Sequence, residues 1–182
     1  MEKQTSKHKF NYRQGFIILA LLTPLLGCVA TAPKLNLYNV AEVSQAISVK
    51  RDDFEKSSRF SGPNASIKPF DNVFIRAWKF DGSNALKYQI YVQDYYEGGW
   101  RFYSNTFDSN GVMLKTIVIS RDVGSCTRYG CSYNEHIGID VSESYLKENT
   151  RNGINFKLSG KAGEEFFFIP GAYIEAFLKV AK

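Results

Sequence analysis

The chain has 182 residues, of which 44% are apolar and 15% aromatic. That length suits one domain, and that apolar fraction is enough for a hydrophobic core, so disordered and collagen-like proteins are excluded. The net charge of +5 would favour nucleic acid as a partner only if the basic residues formed a cluster on the folded protein.

The first 27 residues have the pattern of a signal peptide. Residues 1–14 carry four basic side chains and one acidic one, and the apolar run 15–26 follows. As a helix this run would span about 18 Å, against roughly 30 Å of bilayer hydrocarbon. A permanent transmembrane helix is therefore the weaker interpretation, and Pro24 within the run weakens it further.

The run ends in Leu25-Leu26-Gly27-Cys28, which resembles the lipobox of bacterial lipoproteins. The resemblance implies that Cys28 carries a thioether lipid, that signal peptidase II cleaves before it, and that the new amino group is acylated. Val29 follows, and in this class it resembles the signal for the outer membrane. The alternative is an ordinary secretory signal in which Cys28 is incidental.

These features predict an outer-membrane lipoprotein that faces the periplasm and is anchored through Cys28. Residues 1–27 would be removed, residues 28–34 would form a lipidated tether, and residues 35–182 would form a single β-rich domain. The six residues from Val29 to Lys34 reach about 20 Å when extended. The mature chain keeps 19 Lys and Arg against 17 Asp and Glu, without a basic run, so nucleic acid is excluded as a partner.

Two cysteines remain after Cys28 is set aside, and only one histidine follows the signal peptide. Cys126 and Cys131 are five positions apart in a chain predicted to reach an oxidising compartment, which predicts a disulfide. Closing so small a loop contributes about 2 kcal/mol, so the bond would be a local clip on a hairpin. A metal site is disfavoured because zinc normally needs four ligands, and no cofactor is expected.

Alternation of apolar and polar residues predicts most of the chain to be strand, with short helices near both ends. A capping pair, Asn39 and Glu42, favours a short first helix. A second short helix is predicted after its cap Ser142, and Pro170 begins a C-terminal amphipathic helix. The predicted strands are 47–51, 72–80, 85–95, 100–107, 112–122, a strand ending at 141, 154–158 and 165–169.

The fold class that this pattern predicts is mainly β. We expect an antiparallel β-sandwich or a curved sheet with a C-terminal amphipathic helix, and a lipocalin-like closed barrel is the alternative. The strands 85–95, 100–107 and 112–122 are predicted to form a meander, with Glu97-Gly98-Gly99 as the first turn and an Asn-Gly turn at 110–111 as the second.

Two groups of residues are candidates for binding. Arg128 and Tyr129 lie inside the disulfide loop, which would hold them on a stiff tip; the alternative is a structural clip with incidental surface residues. The second group surrounds one predicted hairpin and could line a groove for a glycan, peptide or lipid, although core packing explains it more simply. Its members are Tyr91, Tyr96, Trp100 and Tyr103.

No catalytic residue is predicted. His136 is the only histidine of the mature chain, and Asp140 on the same strand face would lie about 13 Å away, so a solvent-facing strand histidine is the favoured interpretation. The leading hypothesis is a non-enzymatic interaction or accessory module of the cell envelope with a protein partner. A binding module for a small ligand, glycan or peptide comes second, and a hydrolase that uses His136 third.

Overall fold

The computed structural model describes residues 34–182, which form one compact unit. The predicted signal peptide, Cys28 and most of the predicted tether lie outside the described residues. The elements of the described part are α1 (Val40–Ala46), β1 (Ser48–Asp52), β2 (Ser57–Ser61), β3 (Asn72–Phe80), β4 (Leu86–Gly98), β5 (Tyr103–Asp108), β6 (Met113–Thr127), β7 (Gly130–Val141), α2 (Glu143–Glu148), β8 (Ile154–Gly160), β9 (Gly163–Ile169) and α3 (Gly171–Val180).

The nine strands form one antiparallel sheet in the order β1-β2-β3-β4-β7-β6-β5-β8-β9. The sheet folds back on itself, because β9 contacts β3 and β5 contacts β7 although neither pair is adjacent in the sheet. The prediction of a mainly β, antiparallel fold with a C-terminal helix is confirmed. The closed barrel is not, since β1 and β9 are separate, unpaired edges of an open sheet.

The predicted meander is wrong at its first step, whereas its second hairpin, from β5 to β6, is formed over two residue pairs. β7, not β5, lies beside β4, and β5 pairs with β8 along its whole length. The chain leaves β4 through residues 99–102 and turns sharply at Phe102, whose φ of 54° lies in the left-handed region. Trp100 and Phe102 therefore belong to a loop, and β5 begins only at Tyr103.

Strand β2 has no counterpart in the sequence prediction. Its sequence, Ser-Ser-Arg-Phe-Ser, contains one apolar residue, Phe60, so the pattern lacks the alternation that reveals a half-buried strand. Pairing on both sides explains why it is nevertheless extended, because β1 and β3 both bond to it.

The helices are placed as predicted. The side chain of Asn39 accepts the N–H groups of Ala41 and Glu42 and so caps α1, and Ser142 caps α2 by accepting from Tyr145. Helix α3 buries Tyr173, Ile174 and Phe177 against the sheet. The Tyr173 hydroxyl donates to the carbonyl of Pro63 at 2.7 Å, and the Phe177 ring meets Tyr88 edge-on at 6.5 Å between centroids. These contacts attach the C-terminal helix to the segment that follows β2 and to β4.

Candidate functional site: a buried carboxylate beneath an aromatic platform

The sheet splits where β5 parts from β6. These two strands pair only at Thr106–Leu114 and Phe107–Met113. Beyond that point the buried carboxylate of Glu135, on β7, accepts the backbone N–H groups of Phe102 and Tyr103 at 2.7 and 2.9 Å. A side chain therefore takes the place of the missing strand at this point of the sheet.

Arg121 of β6 completes the replacement. Its Nε donates to Glu135 at 2.9 Å, and its Nη2 donates to the carbonyl of Tyr103 at 2.8 Å. The Tyr96 hydroxyl also donates to Glu135, and this phenol's pKa is raised, chiefly by burial. A buried charge is costly unless it is fully bonded, and Glu135 has four donors. We call Glu135 and Arg121, with these bonds, the charged clamp.

A second buried carboxylate, Asp94 of β4, is less completely bonded. One of its oxygens accepts from Arg101 at 2.9 Å and from the Tyr103 hydroxyl at 2.7 Å. The other has no partner among residues 34–182, and the same is true of one oxygen of Asp71, whose other oxygen accepts the N–H of Tyr95. Burial raises the pKa of both aspartates. Each would lose charge more readily than an ordinary carboxyl.

An aromatic platform lies beside the charged clamp, formed by Trp100, Phe102 and Tyr133. The ring centroid of Trp100 is 4.5 Å from that of Tyr133 and 5.9 Å from that of Phe102. Phe102 is 39% exposed, and the Arg121 guanidinium lies 5.4 Å from its ring centroid. The platform is thus half-exposed and is contacted by the charged clamp through Arg121.

The β6–β7 hairpin continues beyond the platform to a tip at residues 126–131. Cys126 and Cys131 lie opposite each other in the ladder and form the predicted disulfide. Between them Tyr129 is 83% exposed, and the guanidinium of Arg128 lies 4.6 Å from its ring centroid and also contacts its hydroxyl. The two candidate residues of the tip are therefore both presented to solvent and in contact with each other.

The predicted aromatic group is divided by the structure. Tyr96 and Tyr103 are buried, and only Trp100 of the four is part of the half-exposed platform. Tyr91 lies on the opposite face of β4, where its ring is 4.9 Å from that of Phe74. One groove lined by all four rings is therefore not formed.

His136 is not the solvent-facing residue that the sequence indicated. Its side chain is 20% exposed, its Nδ1 lies 2.6 Å from the Tyr91 hydroxyl, and its Nε2 lies 3.5 Å from Asp122. Burial raises the pKa of Tyr91, so this phenol stays protonated. As expected, Asp140 is not a partner of His136, since it bonds to Gln89 and Lys115 instead. Tyr91 and His136 therefore form a hydrogen bond between the neighbouring strands β4 and β7.

Sequence reasoning missed the two buried carboxylates Glu135 and Asp94, although a signal for them exists. In β4, Asp94 occupies a core-facing position of the same alternation as Tyr88, Ile90 and Val92. In β7, Glu135 faces the core like Ile137 and Ile139. A carboxylate at one of the buried, alternating positions of a strand must be hydrogen-bonded, and it therefore indicates a structural or functional role. The partners Arg101 and Arg121 come from a loop and another strand, and no local pattern reveals them.

Within residues 34–182, no group of three or more histidine, cysteine or acidic side chains is placed to hold a metal ion. In the same part of the chain, the helices are too short or too polar to cross a membrane. Comparison with protein-family models, with curated proteins and with solved structures found no match for this chain.

Proposed function

We propose that this chain is a non-enzymatic interaction module of the bacterial cell envelope, anchored to the outer membrane by lipid on Cys28 and facing the periplasm. The lipobox-like sequence before Cys28 supports the anchor. Two or more acyl chains give stable membrane attachment, because each buried methylene contributes about 0.8 kcal/mol.

The observation that carries the interaction role is the β6–β7 hairpin with its aromatic platform. β7 pairs with β4 without interruption from Tyr88–Val141 to Gly98–Cys131, so the hairpin is supported along one whole side. Trp, Tyr and Arg dominate the binding energy of protein interfaces, and these residue types occupy the platform and the tip. A preformed surface loses little conformational freedom on binding, so a protein partner can bind it at a low ordering cost.

A small-ligand or glycan module is less well supported. That hypothesis requires the rings from Tyr91 to Tyr103 to share one groove, whereas they lie on two faces or are buried. A hydrolase is also less well supported, because the neighbour of His136 on one side is a protonated phenol, which is a poor nucleophile.

The interaction role is tested by photo-crosslinking in the native cells. Benzoylphenylalanine is placed at Tyr129 or at Phe102, and the control position is Phe54, which is fully exposed and lies in the β1–β2 turn, away from the hairpin. We expect one envelope protein to be captured from the two hairpin positions and not from Phe54. Equal capture from all three positions, or none from the hairpin, would refute the role of the hairpin.

The anchor is tested separately by fractionation of cells that produce Cys28→Ser. We expect the variant to be lost from the outer-membrane fraction, and intact mass should show either an uncleaved leader, which would hold it in the inner membrane, or an unmodified amino terminus. Outer-membrane retention equal to that of the wild type would count against lipid anchoring.

A further inference from the structure

A cleft of about 360 Å³ lies beside the edge strand β9. Three large side chains on its lining are exposed: Tyr38 by 71%, Ile67 by 90% and Phe166 by 65%. They come from three separate parts of the chain, so folding has assembled them into one surface. We call Tyr38, Ile67 and Phe166 the apolar rim. Clustered exposed apolar groups of this kind are typical of contacts with a protein or a membrane.

The local sequence explains why the rim is exposed. β9 contains three successive phenylalanines, and in a strand alternate residues face opposite sides. Phe167 points into the core, so Phe166 and Phe168 must point outwards. On the other side of the cleft, Ile67 lies in the segment 62–71 between β2 and β3, where no strand covers it.

The chain enters the domain at this same cleft. Tyr38 belongs to the rim, and Leu37 lines the cleft and packs against the core. Leu37 is nine positions after Cys28, and a fully extended chain of that length spans at most about 32 Å. A lipid on Cys28 would therefore hold this end of the domain close to the bilayer, where even a weak contact is favoured by a high effective concentration.

The charges around the rim suit a lipid surface. The two acidic residues of β9 are both paired, Glu164 with Lys157 at 2.9 Å and Glu165 with Lys68 at 2.7 Å. The ammonium of Lys68 is held by Glu165, so Lys34, beside the chain entry, is the basic residue that remains for a lipid headgroup. Such a lysine extends its ammonium group towards phosphate while its stem lies among apolar groups. Tyr38 and Phe166 in the apolar rim are of residue types that are common where a protein meets the headgroup region of a membrane.

We infer that the apolar rim rests on the outer-membrane leaflet that holds the lipid of Cys28, so that the domain sits on the membrane in one orientation. The inference rests on the proposed lipid anchor and adds a second, non-covalent membrane contact to it. Phe54 provides the opposite reference point. It lies in the turn that precedes β2, whose first residue Ser57 pairs with Phe80 at the far end of β3, about 26 Å along the strand from Asn72.

The experiment uses the full-length, lipidated protein in vesicles of phosphatidylethanolamine and phosphatidylglycerol, with and without brominated acyl chains. Ile67→Cys and Phe54→Cys are labelled in turn with a polarity-sensitive fluorophore. The native cysteines do not react, because Cys126 and Cys131 form a disulfide and Cys28 carries lipid. The two positions are matched, since both are exposed apolar residues in turns or loops.

We expect brominated lipid to quench the label at position 67 at least twofold and the label at position 54 by less than a tenth. Adding Phe166→Ser and Tyr38→Ser should reduce the quenching at position 67 by half or more, while the protein still floats with the vesicles. Circular dichroism and thermal unfolding confirm that these surface variants are folded.

Equal quenching at positions 67 and 54 would overturn the inference, because the domain would then have no preferred orientation. A label at position 67 that is shielded from water but unaffected by bromine would also overturn it, since a protein or the chain's own residues 29–33 would then fill the cleft. Both results leave the anchor intact, because the protein still floats. Failure to float, together with an unmodified Cys28 by mass, would refute the proposed anchor itself.

Discussion

The base of the β6–β7 hairpin is held by the buried carboxylate of Glu135, and its tip is closed by a covalent bond between Cys126 and Cys131. At the base, Glu135 is fully buried and accepts four hydrogen bonds that reach β4, β6 and the start of β5. At the tip, Cys126 and Cys131 close only their own turn. The difference indicates that the base determines how the two parts of the sheet meet, whereas the tip determines only the shape of the surface that it presents.

The largest effect is expected from Glu135→Ala. The substitution leaves the Arg121 charge, the Tyr96 hydroxyl and two backbone N–H groups without their partner. Removing one partner of a buried pair typically costs about 3–5 kcal/mol, a large part of the stability of a small domain, and the partial exposure of Arg121 favours the lower end of that range. Urea unfolding followed by circular dichroism measures it. The matched control is Glu97→Ala, an exposed glutamate on β4, which should change the free energy of unfolding by less than about 0.5 kcal/mol. Equal losses in the two variants would show that the charged clamp is not special.

The next effect in size is the loss of the disulfide. Cys126→Ser combined with Cys131→Ser should lower the free energy of unfolding by about 2 kcal/mol, because only a short loop is released in the unfolded chain. The aromatic platform should keep its structure, which near-ultraviolet circular dichroism of Trp100 and Tyr133 reports. If the free energy of unfolding fell as much as in Glu135→Ala, the base and the tip of the hairpin would contribute equally to stability, contrary to this prediction.

A third prediction concerns the incompletely bonded Asp71, whose pKa is raised by burial and then by the Asp94 charge. The pKa of Asp71 is higher in the folded chain than in the unfolded chain, so its protonated form favours folding. This contribution to stability is complete below the ordinary pKa of about 3.9 and is lost as pH rises through the raised value. Asp71→Asn removes the buried charge and should be on the order of 1 kcal/mol more stable than the wild type at pH 7. The advantage should disappear near pH 4.

The control variant, at Asp81, should show the opposite dependence of stability on pH. The pKa of Asp81 is lowered by its bond to Arg51, so its contribution to stability is present at neutral pH and is lost as pH falls. Asp81→Asn should therefore be less stable than the wild type at pH 7, with the deficit shrinking in acid. Parallel pH profiles for the two variants would contradict the assignment of Asp71 as a destabilising buried charge.

The smallest effect on stability is expected at the exposed tip. Arg128→Ala and Tyr129→Ala should each change the free energy of unfolding by less than about 0.5 kcal/mol, because both side chains contact mainly each other and solvent. Thermal unfolding measures this. Crosslinking from Phe102 should nevertheless weaken in both variants if the tip and the platform bind one partner.

Most of the fold was predictable because its signals are local. The ends of β3 and α2 follow directly from alternation and from the cap at Ser142, and the β8–β9 hairpin follows from its glycine-containing turn. Strand order was not predictable in the same way. Whether the strand after residue 99 returns beside β4 or crosses to β8 depends on Glu135, which is more than 30 residues away in the sequence.

The candidate site was predictable only in part, for a related reason. The disulfide and the exposure of Tyr129 follow from spacing and from the polarity of the loop. The burial of Tyr96 and Tyr103 depends on bonds to Glu135 and Asp94, which belong to a network with members on four strands. Aromatic residues at alternating positions are predicted to lie on opposite faces of a sheet, but the sequence does not show which face the rest of the chain covers.

The split between β5 and β6 leaves residues 118–127 with a neighbouring strand on one side only. An open strand edge with exposed valines invites a foreign chain to add itself, which is how many proteins begin to aggregate. Two bulges, at Val118–Ser120 and at Val123–Cys126, interrupt this edge. They break the even spacing that an incoming strand needs, so the irregularity makes this open edge a poor seed for fibres.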